Sequence, residues 1–184
     1  MYKRQYPLIE VTTGLVLALL FWQLGWQPLL GVRLLFAAAM IVLFVVDLQH
    51  RLLPNVITYP GVVIGLGVSL FLEPGIHSAL IGVAAGAGVL WVMGEAYFRW
   101  RGEEGMGMGD VKMLAMVGAF LGWELMLVTL LASSLMGSLV WGAMMLLRRA
   151  DLKYQLPLGT FLAASALLST HLGSPLLEWY LSFY

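Results

Sequence analysis

Long runs of apolar residues, separated by short joints that carry charges, prolines or glycines, form the main pattern along this chain. A helix needs roughly 20 mostly apolar residues to cross a bilayer. The runs predict seven helices, at about residues 7–25, 30–47, 55–72, 77–98, 109–122, 124–147 and 156–172. We therefore expect an all-α fold, a polytopic membrane helix bundle with about seven transmembrane helices.

The fifth predicted helix is short for a full crossing. Its end at Gly122, Trp123 and Glu124 is compatible either with a tight turn in the headgroup region or with one bent helix that joins the fifth and sixth runs. The positive charges favour separate spans, because nine of the ten Lys and Arg residues then lie on the cytoplasmic side and only Arg33 lies on the other. In this topology the N-terminus is cytoplasmic and the C-terminus is outside.

The composition indicates a membrane protein and argues against a metal site. Hydrophobic residues make up 61% of the 184 positions and charged residues 11%, and the mean hydropathy is +0.90, so lipid is the expected solvent. The chain has no cysteine, and its three histidines are scattered without the spacing of a metal centre. We expect no metal and no cofactor. Nothing in the charge pattern indicates a nucleic-acid partner.

Two aspartates are the strongest candidates for chemistry. Asp47 closes the second predicted helix as it reaches the cytoplasm, and Asp110 opens the fifth as it leaves, so both lie at the same depth and can face each other. An ionisable side chain near a bilayer is costly unless it is used or paired. Two close carboxyls can share one proton and hydrolyse a peptide bond, one taking a proton from water while the other donates to the carbonyl oxygen. We predict a membrane-embedded aspartyl protease with Asp47 and Asp110 as catalytic residues.

Glycine occupies every second position from 105 to 109, immediately before Asp110. This alternation prevents early helix formation and lets another backbone pass close by, which suits an extended substrate strand. Gly107 and Gly109 are therefore candidates for substrate binding or loop positioning. The alternative is a flexible glycine-rich loop between helices.

Small residues spaced four apart predict how the helices pack. The pairs are Gly61 and Gly65, Gly82 and Gly86, and Gly118 and Gly122. Such pairs let helices approach closely in lipid, where hydrophobicity gives no drive to associate. They predict close helix contacts either within one chain or between two.

Several segments together resemble a known family. Residues 46–55 read VDLQHRLLPN, residues 105–112 read GMGMGDVK, residues 6–10 read YPLIE and residues 156–159 read LPLG. In this order they resemble the type IV prepilin peptidase family of Gly-x-Gly-Asp intramembrane aspartyl proteases. The resemblance implies the fold of those proteases and cleavage of the short basic leader from type IV prepilins or type II secretion pseudopilins at the cytoplasmic membrane face.

The resemblance also implies partners and further site residues. The partners would be the leader and hydrophobic helix of the substrate, the lipid bilayer of the bacterial inner membrane and, as one option, a second copy in a homodimer. Glu103 and Glu104 would attract the basic leader, unless they are only a solvated acidic pair. Lys112, which points to a different side of the helix from Asp110, would position the loop or the substrate, unless it snorkels toward the cytoplasm.

The chain departs from longer members of that family at its start. Those members have another helix and a cytoplasmic loop domain, often with paired CxxC zinc motifs, before the segment that resembles YPLIE. We expect a single catalytic domain over residues 1–184 without that helix and that zinc and methyltransferase domain. The resemblance then implies peptidase activity, since both aspartates are present, and leaves N-methylation from S-adenosylmethionine open.

Two other functions are alternatives to a protease. A transporter or proton-coupled channel would place its charges near the midplane, in broken helices and internal repeats, and the sequence has no convincing repeat. A noncatalytic pilus-assembly subunit would keep the fold and use its faces for binding. Two aspartates at matched depth favour the protease.

Overall fold

The computed structural model describes residues 6–102, 107–147 and 157–182. These residues form α-helices and the joints between them. The helices are α1 (Tyr6–Leu24), α2 (Pro28–His50), α3 (Asn55–Val68), α4 (Ile76–Arg101), α5 (Met108–Leu146) and α6 (Leu158–Leu181). Three of them, α2, α4 and α5, are long and apolar enough to cross a membrane, and the others contain shorter apolar stretches. The prediction of an all-α membrane helix bundle is confirmed.

The helix α5 changes direction at Gly122, which has a backbone conformation outside the helical region (φ 82°, ψ 174°). We call residues 108–121 the first arm and residues 123–146 the second arm. The second arm runs antiparallel to α6, because the contacting pairs follow opposite order along the two segments. These pairs are Leu125 with Gly173, Thr129 with Ser169, Met136 with Ser165, and Gly137 with Phe161.

The first arm runs the other way. Its Gly109 packs near Leu53, its Gly118 lies against Gly82, and Gly122 lies against Pro74. The first residues of α6 also lie near Leu53, so both arms have one end on the same side of the bundle. Gly122 is therefore a reversal between two antiparallel helices. This confirms the prediction of separate fifth and sixth helices over the alternative of one bent helix, and gives seven helical segments in the described residues.

The first arm of α5 lies at the centre of the bundle, and every residue from Met113 to Gly122 is buried. Close backbone contact with α4 makes this possible: a β-carbon built on Gly82 would lie 2.6 Å from the Gly118 carbonyl oxygen, and one built on Gly86 would lie 2.9 Å from the Leu114 carbonyl oxygen. The small-residue prediction is confirmed within a single chain. The contact holds the first arm, and Asp110 at its start, in a fixed place.

The ends of α2 and α3 differ from the prediction. The helix α2 continues to His50 and ends at Arg51, whose left-handed backbone (φ 53°, ψ 38°) lets its N–H donate to the Asp47 carbonyl oxygen at 2.8 Å. Asp47 therefore lies inside the last turn of α2, three residues before the helix ends at His50. The helix α3 ends at Val68 instead of residue 72.

Candidate active site

Asp47 is the best-anchored polar side chain at this end of the bundle. It lies in the last turn of α2 and is 5% exposed. Its Oδ2 atom accepts hydrogen bonds from the backbone N–H of Thr160 at 2.6 Å and from the Thr160 hydroxyl at 2.8 Å. Thr160 is in the first turn of α6, where backbone N–H groups have no partner within the helix. The Asp47 carboxylate therefore caps α6 from a different helix.

Gly159 lets the carboxylate approach α6 so closely. A β-carbon built on Gly159 would lie 3.0 Å from both Cγ and Oδ2 of Asp47, and 2.9 Å from Cδ1 of Leu53. Any side chain at this position would push Asp47 or Leu53 away. The predicted LPLG segment therefore supplies a close backbone approach next to the first aspartate.

Asp110 lies in the first turn of α5 and is half-buried. Its backbone N–H donates to the Gly107 carbonyl oxygen at 3.1 Å. The preceding residue, Gly109, packs on the same leucine as Gly159, since a β-carbon built on it would lie 2.9 Å from Cβ of Leu53. Leu53 thus joins the start of α5 to the start of α6.

The two predicted loop glycines have different surroundings. Gly109 has no room for a side chain, because the Leu53 side chain packs against it, and its predicted role toward a substrate strand stays a prediction. Gly107 is exposed and extended (φ −73°, ψ 137°), and a β-carbon built on it would make an ordinary contact of 3.6 Å with Asp110 Oδ2. Packing therefore requires glycine at position 109 and does not require it at position 107.

Lys112 reaches the start of α3. Its Nζ donates to Asn55 Oδ1 at 3.0 Å and lies 4.8 Å from the centre of the Tyr59 ring. The ammonium group therefore links the first arm of α5 to α3, and Lys112 lies two residues after Asp110. Glu103 and Glu104, the other predicted binding residues, lie outside the described residues.

An apolar groove of about 550 Å³ opens beside this link. It lies between α3, α4 and the first arm of α5. Its lining includes Tyr59, Pro60, Val63, Ala87, Val111 and Ala115. Val111, one of the lining residues, immediately follows Asp110 in the sequence.

Sequence reasoning missed Thr160 and Leu53. Thr160 follows the LPLG segment at the start of a predicted helix, on the same predicted side as Asp47, so its depth was available from the sequence. Its partner was not, because 113 residues separate Thr160 from Asp47. Leu53 is an ordinary apolar residue whose role depends on two glycines from distant helices.

Comparison with known proteins gives a consistent result. The sequence model described as the type IV leader peptidase family matches residues 34–142, which include both aspartates. A protein named prepilin leader peptidase/N-methyltransferase from Pseudomonas aeruginosa is 34% identical over 98% of this chain and 62% of its own length. Proteins of the same name from Stutzerimonas stutzeri and Aeromonas hydrophila are 32% and 36% identical, over 98% and 97% of this chain.

The match does not cover those relatives completely. The chain spans 62% or 63% of the length of these three proteins. No solved structure matches this chain.

Proposed function

Because the chain belongs to the type IV leader peptidase family, we propose that it is an endopeptidase of the membrane that removes the short basic leader from type IV prepilins or type II secretion pseudopilins. The names of the relatives, prepilin leader peptidase/N-methyltransferase, support this substrate class. The protein would act in the cytoplasmic membrane of a bacterium. Residues 1–184 would form one catalytic domain.

The proposed catalytic residues are Asp47 and Asp110. The observation that carries this assignment is the meeting of the starts of α5 and α6 on Leu53, with Asp47 held against α6 and Asp110 in the first turn of α5. Two carboxyls in one site can share a proton, which gives one an acid role and the other a base role.

The reaction needs no other reactive group. The ionised carboxyl takes a proton from water as the water oxygen bonds to the peptide carbonyl carbon, and the protonated carboxyl gives its proton to the carbonyl oxygen. The tetrahedral intermediate then collapses: the carboxyl that took the proton from water gives it to the leaving nitrogen, the carbon–nitrogen bond breaks, and the other carboxylate takes a proton back from a hydroxyl of the intermediate. The products are the leader with a free carboxylate and the mature protein with a new amino terminus.

The site would lie at the boundary between membrane and cytoplasm, with the N-terminus of the chain inside and the C-terminus outside. Water and the basic leader can reach such a boundary while the hydrophobic helix of the substrate stays in lipid. The apolar groove, whose lining includes Val111, supports an approach of that helix from the membrane. Glu103 and Glu104 would attract the leader.

Cleavage of a prepilin-like substrate by the purified protein in detergent tests this proposal. We expect the wild type to cut and both Asp47→Asn and Asp110→Asn to lose roughly 1000-fold or more in kcat, because each substitution removes one of two groups that act together. Melting temperatures in the same detergent control for folding, and Asn at 47 can still accept from Thr160.

Two results would contradict parts of this proposal. If either variant keeps near-full activity, the two-aspartate assignment is wrong. If the folded wild type does not cut, a noncatalytic role in pilus assembly replaces the protease. Labelled S-adenosylmethionine in the same reaction tests methylation of the new terminus, which the names of the relatives pair with peptidase activity.

A further inference from the structure

One oxygen of the Asp47 carboxyl group accepts two hydrogen bonds. Both the N–H and the hydroxyl of Thr160 donate to Oδ2, at 2.6 and 2.8 Å. The other oxygen, Oδ1, has no hydrogen bond to any described residue. The carboxyl group is therefore fixed in orientation, with one oxygen used for anchoring and one left for another partner.

Thr160 itself is fixed by the fold. It is 6% exposed and lies in the first turn of α6, and Gly159 beside it allows α6 to contact the carboxyl at van der Waals distance. A short hydrogen bond to a carboxylate in a buried place is stronger than a neutral one in water. Thr160 also lies beyond the segment that the family model matches, which ends at residue 142.

We propose that Thr160 is a positioning residue for the proposed proteolytic reaction: its hydroxyl, together with its N–H, holds Oδ2 of Asp47 so that Oδ1 points to the water that attacks the peptide. This inference rests on the proposed function. It makes the start of α6 a part of the active site, in addition to the ends of α2 and α5. Thr160 acts through Asp47 and does not touch the substrate.

Two substitutions separate the hydroxyl from the shape of the side chain. Thr160→Val keeps the branched shape and the backbone N–H and loses the hydroxyl. Thr160→Ser keeps both donors. We expect kcat to fall about 10-fold to 100-fold in Thr160→Val, with KM changed less than about twofold, because a lost hydrogen bond to a charged group changes the orientation of Asp47 more than substrate binding. Thr160→Ser should stay within about threefold of the wild type.

A matched control comes from another buried threonine. Thr129 lies on the second arm of α5, and its hydroxyl donates to the Leu125 carbonyl oxygen and lies 2.9 Å from Ser169 Oγ. Thr129→Val loses a buried hydroxyl at the far end of the bundle, and its kcat should equal that of the wild type. If Thr160→Val cuts as fast as the wild type, or if Thr160→Ser loses as much as Thr160→Val, the positioning role is wrong.

A spectroscopic measurement keeps the inference testable without turnover. The infrared carboxyl band of Asp47 is the one that disappears in Asp47→Asn. It should shift in Thr160→Val and stay in place in Thr160→Ser and Thr129→Val; an unchanged band in Thr160→Val overturns the inference even if the protein cleaves nothing. A wild type that fails to cut, with the band shift present, rejects the proposed function and with it the positioning role in proteolysis, and leaves the bond from Thr160 to Asp47 as a structural contact.

Discussion

At the scale of single residues, Leu53 is the side chain on which the starts of α5 and α6 meet, next to Asp110 and Asp47. The side chain packs between Gly109 and Gly159, and each glycine neighbours a residue that defines the site: Asp110 follows Gly109, and Asp47 lies against Gly159. Glycine is needed at positions 109 and 159 for space and not for backbone conformation, since neither residue has a left-handed backbone.

This packing predicts different costs for two neighbouring glycines. In Gly109→Ala the new methyl would lie 2.9 Å from Leu53 Cβ, whereas in Gly107→Ala the nearest atom of another element or side chain is 3.6 Å away. Overpacking a fixed contact costs about 1–3 kcal/mol of unfolding free energy, so Gly109→Ala should melt several degrees below the wild type. Gly107→Ala should melt at the wild-type temperature. Equal melting temperatures for the two variants would show that Leu53 yields freely, and would contradict the packing.

The sequence indicates the two aspartates as candidates for catalysis, but it does not indicate the residues that hold them in place. Depth relative to the charged joints placed Asp47 and Asp110 at one level, since that argument needs only helix order and the positions of Lys and Arg. The Thr160 bond and the Leu53 contact depend on how α6 and α5 are arranged around α2. No local pattern encodes that arrangement.

At the scale of elements, the helix starts explain why boundaries were harder to predict than helices. None of α2, α3, α4 and α5 has a side-chain N-cap hydrogen bond, so the usual sequence signal of a helix start is missing. The cap of α6 is supplied by Asp47, a residue of another helix. The break at Gly122 could be predicted because it follows from charge distribution along the whole chain.

The reversal at Gly122 predicts that one added methyl group at this position strongly lowers the stability of the protein. With φ at 82°, any other residue is strained by about 1–3 kcal/mol, and its β-carbon would also collide with Ser78 Oγ and lie 2.9 Å from Pro74 Cβ. Gly122→Ala should therefore unfold well below the wild-type temperature in detergent. Gly142→Ala, on the same helix with nothing within 4 Å, is the matched control and should melt at or above it, since alanine favours helix by about 1 kcal/mol. A Gly122→Ala protein as stable as its control would be evidence against the reversal.

At the scale of the whole molecule, the first arm of α5 is too short to span the bilayer by itself. Residues 108–121 form a helix of only about 21 Å, against roughly 30 Å for the hydrocarbon layer. One end of that arm must then lie inside the apolar layer, or the bilayer must thin around it. Since Asp110 is at one end, this geometry favours a site that water reaches from a recess in the protein.

The orientation of the bundle can be tested with single cysteines, because the native chain has none. Trp26 is 90% exposed on the joint between α1 and α2, and Trp100 is 80% exposed in the last turn of α4, so Trp26→Cys and Trp100→Cys place thiols at opposite ends. With the basic joints inside, an impermeant maleimide added to intact spheroplasts should label Cys at 26 at once and Cys at 100 only after permeabilisation. Leu146→Cys, at an 87% exposed site in the last turn of α5, should behave like Trp100→Cys, because the reversal at Gly122 returns the second arm to the side of the active site. The opposite labelling pattern for all three variants would invert the proposed topology and put the aspartates outside, where a cytoplasmic leader cannot reach them. If Leu146→Cys were labelled in intact spheroplasts together with Trp26→Cys, α5 would cross the membrane only once.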